Sequence, residues 1–220
     1  MNKIAIAIAL SLGMLATGCN VMKRMSGQVV GSGNIKTEKR EVVAFTGVSS
    51  SGAFNVNIVC QKDRSVSIEG DDNLLPLITT EVKDGTLYID SEKGFSTKKP
   101  IVIHITTPDI NELKSSGAGE FTVSNLKNDD MRFDTSGAAT IKASGETKTL
   151  KIKMSGAGSV EAGNLKARDV NIKMSGAGSA DVYASNQLDA DISGAGSVTY
   201  SGDPATVNKQ VSGIGSIAKK

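Results

Sequence analysis

Residues 150–179 read LKIKMSGAGSVEAGNLKARDVNIKMSGAGS, a stretch that states one pattern twice. Leu150, Ile152 and Met154 alternate with Lys151 and Lys153, and Ser155-Gly156-Ala157-Gly158 follows. Val170, Ile172 and Met174 then alternate with Asn171 and Lys173 before Ser175-Gly176-Ala177-Gly178. Working outward, the tetrad recurs at Ser116-Gly117-Ala118-Gly119 and Ser193-Gly194-Ala195-Gly196. Degenerate copies stand at Ser136-Gly137-Ala138-Ala139 and Ser212-Gly213-Ile214-Gly215. The leading serines are spaced 20, 19, 20, 18 and 19 residues apart. A fixed period of this length marks a repeat architecture, in which each unit buries its apolar face on the next.

Alternation of period two marks a half-buried strand, because successive side chains point to opposite faces. Leu188, Ala190 and Ile192 repeat the pattern, and Met131, Phe133 and Thr135 follow it less fully. A shorter strand follows each tetrad, with Phe121 and Val123, Ile141 and Ala143, Val160 and Ala162, Ala180 and Val182, and Val198 and Tyr200 at its inward positions. One repeat is therefore strand, glycine corner, strand, second corner, and no helical period appears. Equivalent residues keep a common environment only if successive coils stack in parallel.

These features predict an all-β chain, a right-handed parallel β-helix or solenoid with coils of about 19 residues, each adding about 4.8 Å along the axis. The corner glycines are expected to supply positive φ and close backbone approach. The alanine between them is expected to face inward at a narrow corner. On this reading the tetrads are structural corners rather than ligand sites. In the last copy Lys209 replaces an apolar residue and Ile214 the corner alanine, as suits a terminal coil with a polar outer end.

Residues 1–18 read as a lipoprotein signal peptide: a basic start at Lys3, a short apolar run from Ile4 to Ala16, then small residues before Cys19. Cys19 is the expected lipidation site, which anchors the chain to a membrane; an ordinary signal peptide with an incidental cysteine is the alternative. Residues 19–33 read as a polar tether. Residues 34–108 show β pattern without the repeat and are expected to form hairpins capping one end of the column. One hairpin turn is expected at Lys62–Arg64 and another at Asp84-Gly85, while Asp72 is expected to cap a short helical turn at 73–76. Residues 109–220 form the repeat proper, and 34–220 read as one structural domain.

The formal charge of +2 falls to +1 without the leader, so no net charge draws the chain to nucleic acid. With Cys19 lipidated, Cys60 stands alone on an apolar strand face as a small buried hydrophobe. The single histidine, His104, excludes a multi-histidine metal site and reads as a surface or structural residue. Neither metal-ligand spacing nor a phosphate loop occurs, and no cofactor is implied.

Two surface columns remain. Stacking places Glu161 over Asp181 with Lys142 beside them, a pair that could serve a polysaccharide lyase or hydrolase. A solvated ladder with a lysine neighbour is the plainer account, and aromatics at 4% leave no sugar platform beside it. On another outward face Arg132, Lys151, Lys153 and Lys173 form a basic strip that could hold an anionic glycan or a lipid headgroup. An ordinary solvated face is again the alternative.

The order of motifs carries a resemblance. Phe45-Thr46-Gly47-Val48 is followed by Ser51-Gly52-Ala53-Phe54-Asn55-Val56-Asn57-Ile58. Then come Ile68-Glu69-Gly70-Asp71-Asp72-Asn73-Leu74-Leu75, Asp84-Gly85-Thr86-Leu87 and the tetrad series. Over about residues 34–217 the chain resembles the head GIN-domain family of auto-transporter adhesin heads. The resemblance implies a right-handed β-solenoid, no catalytic constellation and a role in adhesion, and it supplies no binding residue.

The expectation is thus a non-enzymatic, lipid-anchored protein of the bacterial cell envelope. Its solenoid would present a surface to a glycan or protein partner, or to a second copy of itself. A polysaccharide-active enzyme and a purely structural envelope component stand as alternatives.

Overall fold

A computed structural model describes residues 27–220; the signal peptide, Cys19 and the first part of the expected tether lie outside them. Four long strands carry the column: β11 (Ala118–Thr135), β12 (Ala138–Met154), β13 (Ser159–Met174) and β14 (Ser179–Ile192). They follow ten shorter strands: β1 (Val29–Val30), β2 (Ile35–Arg40), β3 (Gly47–Ser50), β4 (Phe54–Val59), β5 (Ser65–Asp71), β6 (Ile78–Lys83), β7 (Thr86–Ser91), β8 (Phe95–Ser96), β9 (Ile101–Thr106) and β10 (Glu112–Ser115). Three complete the chain: β15 (Ser197–Ser201), β16 (Thr206–Val211) and β17 (Ser216–Lys219).

Each long strand wraps most of one coil and pairs in parallel with the next. Like residues lie over like. Phe133 stands over Ile152, Ile152 over Ile172 and Ile172 over Ala190, while Met154, Met174 and Ile192 form the adjoining column. All are buried. The result is the expected all-β solenoid of parallel coils, about five in number. Its filling is continuous, and each fully buried Leu, Ile or Met side chain contributes about 1.5–3 kcal/mol.

The coils have three sides, one more than the alternation revealed. A first side follows the tetrad and holds Phe121 and Val123 or their equivalents. A last side precedes the next tetrad. Between them a short middle side buries Leu126, Thr147, Leu165 with Ala167, and Ala184. Inward positions step by three residues instead of two where the chain bends, from Val123 to Leu126 and from Ala167 to Val170.

The corner glycines act by close approach, and positive φ is not their common reason. Only Gly119 of the tetrad glycines has it, at 142°. Gly52, Gly117, Gly137, Gly156, Gly176, Gly194 and Gly213 form a single ladder, and a Cβ on any of the last six would overlap the carbonyl oxygen of the glycine one coil back. Those carbonyls are occupied in the corner ladder: Ala157 N–H donates to Gly137 O and Ala177 N–H to Gly156 O, both at 3.1 Å. The corner alanines point outward to water, not inward as expected: Ala118, Ala138, Ala157, Ala177 and Ala195 are exposed, and Ile214 is 87% exposed. The space above each glycine is narrow, and the alanine beside it faces solvent.

Parallel stacking also begins earlier than the repeat. Ser51-Gly52-Ala53 is a first corner, bridged from Ala53 to Ala118, with Val56 under Phe121 and Ile58 under Val123. β7 pairs in parallel with β3, and β9 with β4. Antiparallel strands then close this end: β6 against β7 around Asp84 and Gly85, both at positive φ, then β5 against β9 and β2 against β5. Lys62–Arg64 does not join paired neighbours, because β9 lies between β4 and β5 and satisfies both. Nor does Asp72 cap the short 3-10 turn at Leu75–Leu77, whose N-cap is Leu74; its carboxylate accepts from Ser32 Oγ at 2.6 Å.

Residues 29–33 are docked on this cap. β1 pairs with β8, the buried Asp71 carboxylate accepts from Gly33 N–H and Thr97 Oγ1, and Asn73 bridges Ser32 N–H and Val30 O. At the opposite end β16 and β17 are largely exposed.

Candidate functional site

The first side gathers Lys142, Glu161, Asp181 and Thr199 into one outward column, each the Cα partner of the next. An open groove of about 570 Å³ lies over Lys142, Glu161 and Asp181, also lined by Asn164, Ser201 and Lys220. Adjacent parallel strands lie about 4.8 Å apart, close to the carboxyl separation of a retaining glycosidase. The carboxylates have other engagements, however. Asp181 accepts from Lys220 Nζ at 2.7 Å and from Thr199 Oγ1 at 3.1 Å. Lys142 turns to Glu120 at 2.7 Å, and that hydrogen bond, helped by the charges of Glu120 and Glu161, holds its ammonium above the usual lysine range. The lining is polar and charged, unlike the apolar pocket that sets apart a general acid.

The last side brings the four residues of the predicted basic strip together. Lys151 lies over Arg132, and Lys173 over Lys153. Arg132 is drawn into pairs with Asp134 at 3.1 Å and Glu112 at 3.7 Å. Lys151, Lys153 and Lys173 are exposed. The next coil answers them with Asp189 and Asp191, and a shallow depression of about 270 Å³ runs there. The strip is therefore a three-lysine patch on a mixed-charge side.

The middle side carries a groove of about 600 Å³ that no sequence motif announced. Lys127, Glu146, Lys166 and Tyr183 form its outward column, with Lys148 and Arg168 two residues further along their coils. Lys166 Nζ sits 3.9 Å from the centroid of the Tyr183 ring. The signal for this arrangement lies in Gly163-Asn164-Leu165, where the register between β13 and β14 shifts and brings Lys166 beside Tyr183.

His104 is exposed on β9 between Asn57 and Ser67. Cys60 is buried, and burial, reinforced by Asp109, pushes its thiol up to about 11. Among the described residues no three His, Cys, Asp or Glu side chains gather as a metal site requires. No helix among them is long and apolar enough to cross a membrane.

Comparison with known proteins agrees with this architecture. No curated protein matches the chain. A solved structure described as a "putative adhesin" from Bacteroides fragilis is 25% identical, with a TM-score of 0.65, covering 87% of this chain and all of its own. A "putative lipid binding protein" from Parabacteroides distasonis shares the fold at 22% identity and a TM-score of 0.58, over 88% of this chain and 99% of its own. A "putative adhesin" from Parabacteroides merdae does so at 20% identity and 0.57, over 89% of this chain and all of its own. The profile of the family described as "Putative auto-transporter adhesin, head GIN domain" matches residues 44–204, and with its coils, corners and cap this chain belongs to that family.

Proposed function

We propose that the protein is a non-enzymatic, lipid-anchored component of the bacterial cell envelope, held at Cys19, whose solenoid presents a surface for adhesion to an envelope or extracellular partner. The observation that carries this reading is the continuous core from β3 and β4 through β14, whose strands keep register along the first and last sides. Such a core fixes outward side chains in columns at coil spacing, a geometry suited to presentation rather than to enclosing a substrate. Membership of an adhesin-like family supports the same reading. Lys151, Lys153 and Lys173 offer one charged patch to an anionic partner.

The test has two arms. Metabolic labelling with an alkynyl fatty acid reports lipidation, which should vanish in Cys19→Ser. Cells lacking the protein should lose attachment to their substratum, and cells with Cys19→Ser should lose it too. Unlabelled protein, or unchanged attachment by cells without it, refutes the reading.

A further inference from the structure

From the middle side we infer a ligand class: its groove binds a linear anionic glycan, with Lys166 and Arg168 as the principal contacts. The inference rests on the presentation role proposed above. Four cations, Lys127, Lys148, Lys166 and Arg168, line the groove against two carboxylates, Asp129 and Glu146. Lys148 is neutralised by Asp129 at 2.8 Å, and Arg168 makes a looser pair with Asp169 at 3.7 Å. Lys127 and Lys166 take part in neither pair, although Glu146 stands between them in the outward column.

Lys166 is fixed in a different way. Its ammonium rests on the face of Tyr183, and the edge of that ring lies over Gly202, where any Cβ would come within 3.3 Å of it. A cation–π contact orients an ammonium without cancelling its charge. Lys142, Lys219 and Lys220 are held by carboxylates, and Lys209, 5.0 Å from the centroid of Tyr200, also donates to the Ile217 carbonyl. Lys166 is thus a positioned cation with its charge still available, and Arg168 offers a planar fork two residues away that suits a carboxylate or sulfate.

Shape selects the polymer. The groove crosses three coils and continues toward Ser185, so a chain laid along the axis, at steps of about 4.8 Å, meets Lys127, then Lys148 beside Glu146, then Lys166 with Arg168. The depression on the last side is smaller, about 270 Å³, and is bordered by Asp189 and Asp191.

Heparin serves as the probe, titrated calorimetrically into the full-length protein at low and at physiological salt. Lys166→Gln with Arg168→Gln should weaken binding about tenfold or more. Tyr183→Leu keeps every charge and should still weaken it severalfold. Lys98→Gln with Lys99→Gln removes equal charge from the exposed cap and should change affinity less than twofold. Equal losses in both double variants would mean diffuse charge attraction and overturn the inference. So would absent heparin binding, or binding only to phosphatidylglycerol vesicles. Attachment of cells carrying the Lys166/Arg168 variant separates the two readings: attachment that depends on the protein yet survives this variant sinks the groove and leaves the presentation role standing.

Discussion

Lys142 and Glu161 are Cα partners in neighbouring coils, yet the Lys142 ammonium donates to Glu120 instead, at 2.7 Å. The stacked pair of Glu161 and Asp181 is thereby left without its nearest lysine, while Lys220 and Thr199 hold Asp181 from the other side. These engagements order a surface and do not arrange an acid and a base around a reacting bond.

The wild-type protein should therefore release no products from a panel of uronate-type glycans followed by reducing-end and double-bond assays. Glu161→Gln with Asp181→Asn should leave the melting temperature nearly unchanged, since exposed pairs are worth about 0–1 kcal/mol. Turnover by the wild type that disappears in the double variant would establish an enzyme.

Gly156→Ala should be far costlier than Ala157→Ser next to it. The new Cβ would overlap the Gly137 carbonyl oxygen, which already accepts the Ala157 N–H. Forcing atoms into a backbone that cannot shift costs about 3 kcal/mol. Ala157→Ser faces water and should remain within about 0.5 kcal/mol of wild type. Urea denaturation midpoints compare the two.

Ile172→Ala empties the centre of the Ile152–Ile172–Ala190 column. With a small residue already above it, little can collapse into the space, and the expected loss is about 3–5 kcal/mol. A loss under about 1 kcal/mol in the same denaturation experiment would mean that this column is not the core.

Cys60 gives an alkaline signature. Burial raises its thiol from 9.0 to about 11 in the folded chain. The unfolded chain ionises first as pH rises, so the thiol's contribution is intact below about pH 9 and drains away toward pH 11. The loss is roughly 2 kcal/mol by linkage. Wild type should lose that much more stability than Cys60→Ala between pH 8.5 and pH 11, measured by urea titration at each pH; parallel losses would contradict the shift.

Asp71→Ala removes the acceptor for Gly33 N–H and Thr97 Oγ1 in a buried setting. An orphaned donor costs about 1–3 kcal/mol. The Gly33 amide should exchange with deuterium much faster in the variant, while amides of β12 and β13 keep their protection. Uniform acceleration would place Asp71 in the global core instead.

Coil stacking, strand register and the corner motif were legible in sequence because Leu150, Ile152 and Met154 return with the same phase twenty residues later. The middle side was not. Its inward residues, Leu126, Thr147, Leu165, Ala167 and Ala184, have no one type common to every coil, and the steps that mark the bends vary from coil to coil. The first parallel coil escaped notice because Ser51-Gly52-Ala53 lacks a second glycine and lies 65 residues before the next copy. Between them β5 to β9 are inserted, and strand order across an insertion is set by long-range pairing that local pattern does not encode. Of the surface columns, Glu161 over Asp181 and the lysine strip followed directly from register. The Lys166–Tyr183 contact depends on a bulge, and the pairing Lys142 chose depends on the reach of a flexible side chain.

The glycine ladder has an evolutionary corollary. Each corner answers only to the coil beneath it, so a duplication or deletion of one whole repeat meets the same neighbours as before. Molecules of this build can act as rulers, growing taller or shorter in steps of about 4.8 Å while girth, cap and tip stay as they were. A fractional insertion would set side chains where only hydrogen atoms fit, and so heights between the steps are closed to this lineage.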